Sequence, residues 1–271
     1  MSVPRKLLVS CATGFLGRHV LAAHLGAHAV GRAVESAETW RAALRAAAGA
    51  RVVHLAFPRE RDPAVLDPFV ERTCAALAEV MRENPGGHLV LASSAAVYAP
   101  ALEALTEEHP IEPPSPYGRA KRAQELLLAE AADRAGWELT IARIFNILGP
   151  GQPRGLLAAD LVAKLRAVEG TGPIPCGPLD TWRDYVDVRE VAQRLAVLPP
   201  GLVNLCRGEA VSSLALAREI CHALGVDASR LAPQAGGGGV SRATGAPDRL
   251  VSMGLALTTP WQRSLADQLE R

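Results

Sequence analysis

The sequence predicts an α/β protein built on a doubly wound parallel sheet. Short aliphatic and β-branched runs recur along the first half of the chain, and segments with apolar residues at three- and four-residue spacing separate them. The first run turns through glycines directly into a helical segment. Strands that alternate with helices pair in parallel and are covered on both faces. With 271 residues, the chain can form one large domain or a large domain with a small second one.

The first half of the chain alternates strictly between the two patterns. The predicted strands are Lys6–Ser10, Ala29–Gly31, Arg51–Ala56, His88–Ala92 and Leu139–Ile144. The predicted helices between and after them are Gly17–Gly26, Thr39–Ala48, Leu66–Glu83 and Tyr117–Ala135.

The regular alternation of strand and helix patterns ends at Gly149-Pro150-Gly151-Gln152-Pro153, so a second, smaller region is expected after it. We predict a helix at Leu156–Val168, a loop at Gly170–Pro178, a helix from Arg189, a strand at Leu202–Cys206 and a helix at Ser213–Leu224 capped by Ser212. Gly236–Gly239 cannot pack side chains and is predicted to be a mobile loop.

Composition argues against several function classes. The net charge is +1, with 29 basic and 28 acidic residues, so no general field favours nucleic acid or an anionic membrane. The five cysteines form no C-x-x-C pair and no cluster with histidines, which argues against a metal site or disulfides. The N-terminus lacks a signal-peptide pattern, and no run approaches the ~20 apolar residues of a membrane helix. We therefore expect a cytoplasmic protein with reduced thiols.

The stretch Leu8–Val20, "LVSCATGFLGRHV", has the pattern of a strand, a tight turn and a helix. Glycines in such a turn allow the main chain to approach a pyrophosphate, and the helix N-terminus supplies amide donors. We predict cofactor contacts from the turn, at Cys11, Thr13, Gly14, Phe15, Leu16 and Gly17. Cys11 stands where a glycine is expected, and a cysteine fits if the backbone there is not left-handed. An ordinary strand-to-helix turn is the alternative.

A second group of residues carries acid–base chemistry. Tyr117 and Lys121 are four residues apart, so they lie on one face of their predicted helix. An adjacent ammonium favours the phenolate and lowers the pKa of a tyrosine. Ser94 follows the strand "HLVLAS" and can hydrogen-bond a reacting oxygen. These are the groups that move a proton on an alcohol or carbonyl while a cofactor moves the hydride.

These motifs together resemble the extended short-chain dehydrogenase/reductase family, in particular its nucleotide-sugar epimerase, dehydratase and reductase group. The resemblance rests on the glycine turn, "HLA" (54–56), "SSAAVY" (93–98), "SPYGRAK" (115–121), "ARIFNILGPGQ" (142–152), "WRDYVDVREVA" (182–192) and "VNLCRGEAVS" (203–212). It implies a dinucleotide-binding Rossmann domain at 1–150, with returns near 183–206. A small C-terminal substrate lobe would comprise 151–182 and 207–271.

The resemblance also implies roles for particular residues. Ser94, Tyr117 and Lys121 would be the catalytic triad, with Lys121 also binding the nicotinamide ribose. The "HLA" motif would place Leu55 and Ala56 against the cofactor. Asn146 and Arg183 would bind substrate together with Ser94; the alternatives are a turn-stabilising amide and a surface salt bridge. A homodimer through helices that flank the sheet is implied as well.

The expected cofactor and reaction follow from positions where this chain differs from members of the family. Arg32 stands where relatives that prefer NAD carry an acidic residue, which favours NADP(H), with NAD(H) as the alternative. Ala95 and Ala96 replace the acidic pair of the dehydratases. We expect NADPH-dependent reduction of a keto group on a nucleotide-activated sugar. The alternatives are an epimerase with tightly bound NAD, a reductase of another small carbonyl compound, and a non-catalytic dinucleotide-binding protein.

Overall fold

The computed structural model describes residues 6–234 and 241–270. The strands are β1 (Leu7–Val9), β2 (Ala27–Ala29), β3 (Arg51–His54), β4 (His88–Ser94), β5 (Glu138–Ile144), β6 (Asn146–Leu148), β7 (Ile174–Cys176), β8 (Thr181–Arg183), β9 (Tyr185–Asp187), β10 (Gly201–Leu205), β11 (Val211–Ser212), β12 (Leu231–Pro233) and β13 (Ser241–Ala243). The helices are α1 (Phe15–Ala23), α2 (Ala37–Ala46), α3 (Pro63–Glu83), α4 (Pro116–Ala135), α5 (Leu157–Arg166), α6 (Val188–Leu195), α7 (Ser213–Ala223), α8 (Asp248–Ser252) and α9 (Trp261–Leu269). The predicted loop at Gly236–Gly239 lies outside the described residues.

A six-stranded sheet with the order β10-β5-β4-β3-β1-β2 forms the centre of the fold. The pairings from β2 across to β5 are all parallel, as in Leu8 against Val52 and Val53 against Val90. The chain runs outward from β1 to β2 and then returns past β1 to β3, so the strand order reverses between β1 and β3. The predicted doubly wound parallel sheet is confirmed, and its switch point is where such folds bind ligands.

The core explains why these short runs become strands. Leu8, Val52 and Leu89 on the sheet are almost fully buried in one cluster with Trp40 of α2 and Leu128 of α4. Strands covered on both faces need an unbroken apolar sequence rather than an alternating one. Several predicted bounds are wrong by two or three residues. The second strand is Ala27–Ala29 rather than Ala29–Gly31, and α3 begins at Pro63, where Asp62 caps it, rather than at Leu66.

The contacts group the chain into two compact units. The first unit comprises the described parts of residues 1–99, 107–144 and 191–204, and the second comprises those of 100–106, 145–190 and 205–271. The second unit has its own apolar core around α5, α7 and α9, with Leu161, Ile220 and Trp261 buried in it. That one unit binds a cofactor and the other a substrate, with the predicted bounds, remains a prediction. Contacts between residues do not show what a unit binds.

The second unit contains elements that the sequence did not predict. The predicted loop Gly170–Pro178 contains β7, which pairs with β12, and the stretch Arg183–Val188 divides between β8, β9 and α6. The α8 and α9 helices were also missed. Most of these strands have three residues, which is too short for a hydrophobic period to show. No helix in the described part of the chain is both long and apolar enough to span a membrane.

The first turn of α4 lies directly against the end of β4. Ser115 caps the helix by accepting a hydrogen bond from the Gly118 amide at 3.1 Å, and Pro116 follows at the first helical position. A Cβ on Gly118 would lie 2.1 Å from the carbonyl oxygen of Ala96, in the short 3₁₀ turn that follows β4. Glycine at position 118 therefore lets the main chains of α4 and of that turn approach closely.

Gly118→Ala tests this close approach. Alanine in place of a helical glycine ordinarily stabilises by about 0.5–1 kcal/mol. Here the added methyl overlaps main-chain atoms, so we expect the free energy of unfolding to fall by roughly 1–3 kcal/mol, as for an overpacked core. Urea unfolding measures the change. Gly177→Ala is the control, because no atom lies within 4 Å of its added Cβ. A Gly118→Ala chain as stable as the wild type would contradict the packing described.

Candidate active site

A cavity of about 630 Å³ opens in the first unit, beside the point where the strand order reverses. Its wall includes Cys11 and Thr13 after β1, Arg32 after β2, and Ala56 and Phe57 after β3. The volume falls within the range of roughly 300–1,000 Å³ that is typical of small-molecule and cofactor sites. Four of the predicted cofactor residues, Cys11, Thr13, Arg32 and Ala56, therefore line one cavity. The other six do not line it: Gly14, Phe15, Leu16, Gly17, Leu55 and Lys121.

The glycine turn fits a bound pyrophosphate. Gly14 is the N-cap of α1, and no side chain caps the first turn, so the amides there have no side-chain acceptor. A Cβ on Gly17 would lie 2.2 Å from the Cys11 carbonyl oxygen, and one on Gly14 would lie 2.8 Å from the Cys11 sulfur. Glycine is required at position 17, where a Cβ would overlap main-chain atoms, and at position 14 a Cβ would crowd the Cys11 side chain. The open helix N-terminus then supplies amide donors and a favourable dipole for an anion.

Cys11 departs from the expectation based on its sequence. Its φ is +52°, and it is the one non-glycine residue in the described part of the chain with a positive φ. The condition under which a cysteine would fit without strain, a backbone that is not left-handed, is therefore not met. The turn keeps the conformation that a glycine would favour, and the cysteine adopts it at a steric cost because its Cβ crowds the main chain.

The structure places Ser94, Tyr117 and Lys121 in the same unit, at the end of β4 and on the first turns of α4. The Tyr117 ring and the Lys121 ammonium both contact Phe57, with 5.3 Å between the ring centroids and 4.0 Å from Nζ to the Phe57 centroid. The two side chains therefore lie on one face of α4. Ser94 lies close enough to Tyr117 for a hydrogen bond that lowers the pKa of the phenol.

The pKa of Tyr117 differs from the expectation. Burial raises the pKa of its hydroxyl, and the hydrogen bond with Ser94 and the charge of Arg61 offset only part of that rise. Lys121 does not lower it in this structure. Its Nζ instead donates hydrogen bonds to the Ala92 carbonyl oxygen at 2.8 Å and to Gln124 at 3.3 Å. Tyr117 is therefore a protonated phenol at neutral pH.

Lys121 is a buried ammonium, with 4% of its surface exposed. Burial lowers its pKa to about 7, although the nearby Glu125 carboxylate acts in the opposite direction. Gln124 also contacts His54 at 3.1 Å, and His54 contacts Ser10 at the end of β1 at 3.0 Å. Burial lowers the pKa of His54 to about 3, so this histidine is neutral and links β1 to α4.

A buried ion pair supports the same part of α4. Arg143 of β5 binds the Glu125 carboxylate through two hydrogen bonds of 3.0 and 2.9 Å, and Ser93 donates to it at 2.5 Å. The Arg143 guanidinium also lies over the ring of Tyr98, 4.8 Å from its centroid. Gln124 and Glu125 were not predicted as site residues. Their spacing of three and four residues from Lys121 is the signal that places them on the same side of the helix.

The charged residues around the cavity bear on the choice of cofactor. Arg72 is paired with Glu35 at 2.8 Å, and both line the cavity. Glu60 lines it as well. Arg32 is exposed, and the structure gives its guanidinium no partner among the described residues. Arg32 is therefore available to a bound anion, while Arg72 and Glu35 neutralise one another.

The two predicted substrate residues lie in the second unit. Asn146 opens β6, and its side-chain amide donates a long hydrogen bond of 3.4 Å to the Asp184 carbonyl oxygen. Arg183 donates to the carbonyl oxygens of Trp182 and Ser241, at 2.8 and 3.0 Å, and has no carboxylate partner among the described residues. Burial raises the pKa of the adjacent Asp184 to about 6, and three main-chain amides bind its carboxylate.

Comparison with known proteins identifies the group of relatives. The model of the NAD dependent epimerase/dehydratase family matches residues 7–198. GDP-6-deoxy-D-mannose reductase from Pseudomonas aeruginosa is 30% identical over 161 residues, which are 55% of this chain and 53% of that protein. UDP-glucose 4-epimerase 4 from Oryza sativa subsp. japonica is 40% identical over 120 residues, 44% of this chain and 28% of that protein. The matches thus span about half or less of these relatives.

Solved structures share the fold over nearly the whole chain. A Thermus thermophilus UDP-glucose 4-epimerase in complex with NAD has a TM-score of 0.81 at 21% identity. RMD from Pseudomonas aeruginosa, complexed with NADPH, has a TM-score of 0.81 at 23% identity. Both alignments cover 98% of this chain and 98% of the other. At these identities, the likeness establishes the fold.

Replacing Cys11 by glycine tests the strain in the turn. Glycine adopts φ = +52° freely, so we expect Cys11→Gly to raise the free energy of unfolding by about 1 kcal/mol, the lower end of the left-handed penalty. Cys11→Ala keeps the Cβ and should show no such gain. Urea unfolding of the three proteins measures the difference. Equal stability of the glycine and alanine variants would show that the backbone at this position is relaxed.

The buried Lys121 predicts a pH dependence of stability. Its pKa of about 7 in the folded chain lies below the 10.5 of an unfolded lysine, so the unfolded chain binds more protons between these values. Its contribution to the free energy of unfolding therefore rises with pH above 7, by at most ~1.4 kcal/mol per pH unit.

Urea unfolding between about pH 7.5 and pH 9 checks this dependence. As the pH rises, the free energy of unfolding of the wild type should rise relative to that of Lys121→Met. Lys164→Met, which removes an exposed ammonium, should leave the slope unchanged. Parallel pH profiles for the wild type and Lys121→Met would contradict the lowered pKa.

Proposed function

We propose, from the premise that this chain belongs to the NAD dependent epimerase/dehydratase family, that it reduces a keto group on a nucleotide-activated sugar with NADPH. The observation that carries the proposal is the grouping of Ser94, Tyr117 and Lys121 at the end of β4 and on one face of α4. An acid, a hydrogen-bond donor and a cation in one place are what reduction of a carbonyl requires of the protein.

The raised pKa of Tyr117 favours the direction of reduction. A protonated phenol can give its proton to the oxygen of a carbonyl as negative charge develops there. The Ser94 hydroxyl would hold the same oxygen, and Lys121 in its protonated form would stabilise the phenolate that proton donation leaves on Tyr117. NADPH, when bound, supplies the hydride. In the opposite reaction the phenol would have to act as a base, for which its raised pKa is unfavourable.

The cavity supports a dinucleotide as the cofactor. Its volume of about 630 Å³ and the uncapped N-terminus of α1 suit the adenosine and pyrophosphate parts. The unpaired guanidinium of Arg32 suits the 2′-phosphate of NADPH, because Arg–phosphate contacts are charge-assisted and bidentate. Glu60 and the neutralised Arg72–Glu35 pair add no positive charge, so Arg32 alone favours NADPH over NADH.

The substrate class rests on the relatives and on the second unit. The relatives are named for GDP-6-deoxy-D-mannose and UDP-glucose, which are both nucleotide sugars. We propose Asn146 and Arg183 as contacts to such a substrate, since Arg183 has no carboxylate partner among the described residues. A homodimer through α4 would cover its exposed Leu126 and Leu127, which are 54% and 40% exposed.

An epimerase with tightly bound NAD is the second candidate. Several relatives are named UDP-glucose 4-epimerases, which favours it. The absorbance of the purified protein separates the two functions. Bound NAD that is not consumed while one sugar is converted to another indicates an epimerase, and steady oxidation of added NADPH with a keto-sugar indicates a reductase.

Tyr117→Phe tests the proposed acid. We expect NADPH oxidation with a panel of nucleotide keto-sugars to fall by about 10²–10⁴-fold, the usual contribution of an acid–base group. NADPH affinity and unfolding should change little. Tyr98→Phe is the control, because it removes a hydroxyl from the same unit, where Tyr98 donates to Asn204 at 2.7 Å. It should keep its turnover. A fully active Tyr117→Phe enzyme would refute the assignment.

A further inference from the structure

Phe57 is shared between the cavity and the proposed catalytic pair. Its side chain lines the cavity together with Thr13 and Arg32. Its ring also contacts the Lys121 ammonium, at 4.0 Å, and the Tyr117 ring, at 5.3 Å between centroids. Neither Tyr117 nor Lys121 lines the cavity. Phe57 therefore lies between the space that suits a dinucleotide and the groups that would act on its substrate.

Arg61 covers Tyr117 as well. Its guanidinium carbon lies 4.0 Å from the centroid of the Tyr117 ring. The Phe57 ring meets the same ring edge-on, with an angle of 85° between the planes. Burial by these neighbours raises the pKa of Tyr117 and lowers that of Lys121. Lys121 is 4% exposed while Tyr117 is half-buried, so a cofactor that reaches Lys121 must displace protein.

The segment that carries Phe57 and Arg61 is held loosely. It connects β3 to α3 and forms neither helix nor strand. Among the described residues, no hydrogen bond engages the main chain of residues 57–61. The preceding residues are fixed, because the amides of Leu55 and Ala56 both donate to Ser10. From Phe57 onward the segment depends on ring contacts, which are individually weak.

We propose that Phe57 and Arg61 form a gate over Tyr117 and Lys121, which the nicotinamide half of a dinucleotide must displace. The proposal rests on the proposed function, since it takes the cavity as the cofactor site. The adenosine end binds in the cavity with the gate closed. The nicotinamide end reaches Tyr117 and Lys121 only after the Phe57 ring moves. The affinity for the whole dinucleotide is then reduced by the fraction of the protein in which the gate is open.

The test compares two kinds of probe on the full chain by calorimetric titration. NADPH and NADH carry the nicotinamide half, while 2′,5′-ADP and ADP present only the adenosine end. Each dinucleotide is compared with its matching fragment, so the result does not depend on which cofactor the protein prefers. The proteins are the wild type, Phe57→Ala and the milder Phe57→Leu. Val65→Ala is the control, since Val65 lines the same cavity but has no ring contact with Tyr117 or Lys121.

Removing the Phe57 ring should strengthen binding of the dinucleotide alone. If the gate is open about one-tenth of the time, Phe57→Ala binds the dinucleotide about tenfold more tightly, and Phe57→Leu about threefold. These gains are measured relative to the matching fragment, because Phe57 also lines the cavity that would bind the adenosine end. Val65→Ala should affect both probes equally. A change in Phe57→Ala or Phe57→Leu that is equal for both probes, or a selective loss of dinucleotide affinity, would overturn the gate and leave the proposed function standing. Failure of the wild type to bind any of the four probes would overturn both.

Discussion

The close docking of α4 against the end of β4 is the constraint on which the rest of the site depends. Gly118 lets the first turn of α4 rest on the Ala96 carbonyl in the turn after β4, and Lys121 donates a hydrogen bond to the Ala92 carbonyl within β4. Ser93 and Glu125 add a third link between the same elements. Because Tyr117 lies on the first turn of α4 and Ser94 at the end of β4, this docking fixes the distance between them.

Burial has opposite consequences in two parts of this region. Glu125 and Arg143 are buried as a hydrogen-bonded pair, which keeps the pKa of Glu125 below its usual range and that of Arg143 above it. Breaking such a pair ordinarily costs about 3–5 kcal/mol, so it anchors α4 strongly. Lys121 hydrogen-bonds only neutral groups, and burial disfavours its charged form despite the nearby Glu125 carboxylate. The Glu125–Arg143 pair therefore fixes α4 in place. The protonation state of Lys121, which would meet the cofactor, can change when a ligand binds.

The sequence was sufficient for the fold class and for the pairing of Tyr117 with Lys121. Both follow from periodicity, since buried strands show as apolar runs and residues four apart share a helix face. The left-handed turn at Cys11 and the contacts of Phe57 and Arg61 could not be predicted in this way. The backbone angle of a single residue has no periodicity, although the glycine expected at position 11 is a signal for it. An irregular segment has no period either. The three-residue strands of the second unit escaped prediction for the same reason.

The titration of Lys121 itself is the most direct test of this account. Nuclear magnetic resonance of selectively labelled lysine side chains, with Lys121→Met to assign the signal, reports the pKa of this ammonium in the folded chain. Burial between Ala92 and Phe57 predicts a value near 7. A value near the 10.5 of an ordinary lysine would show that Lys121 is solvated, and would contradict both the docking of α4 and the closed gate.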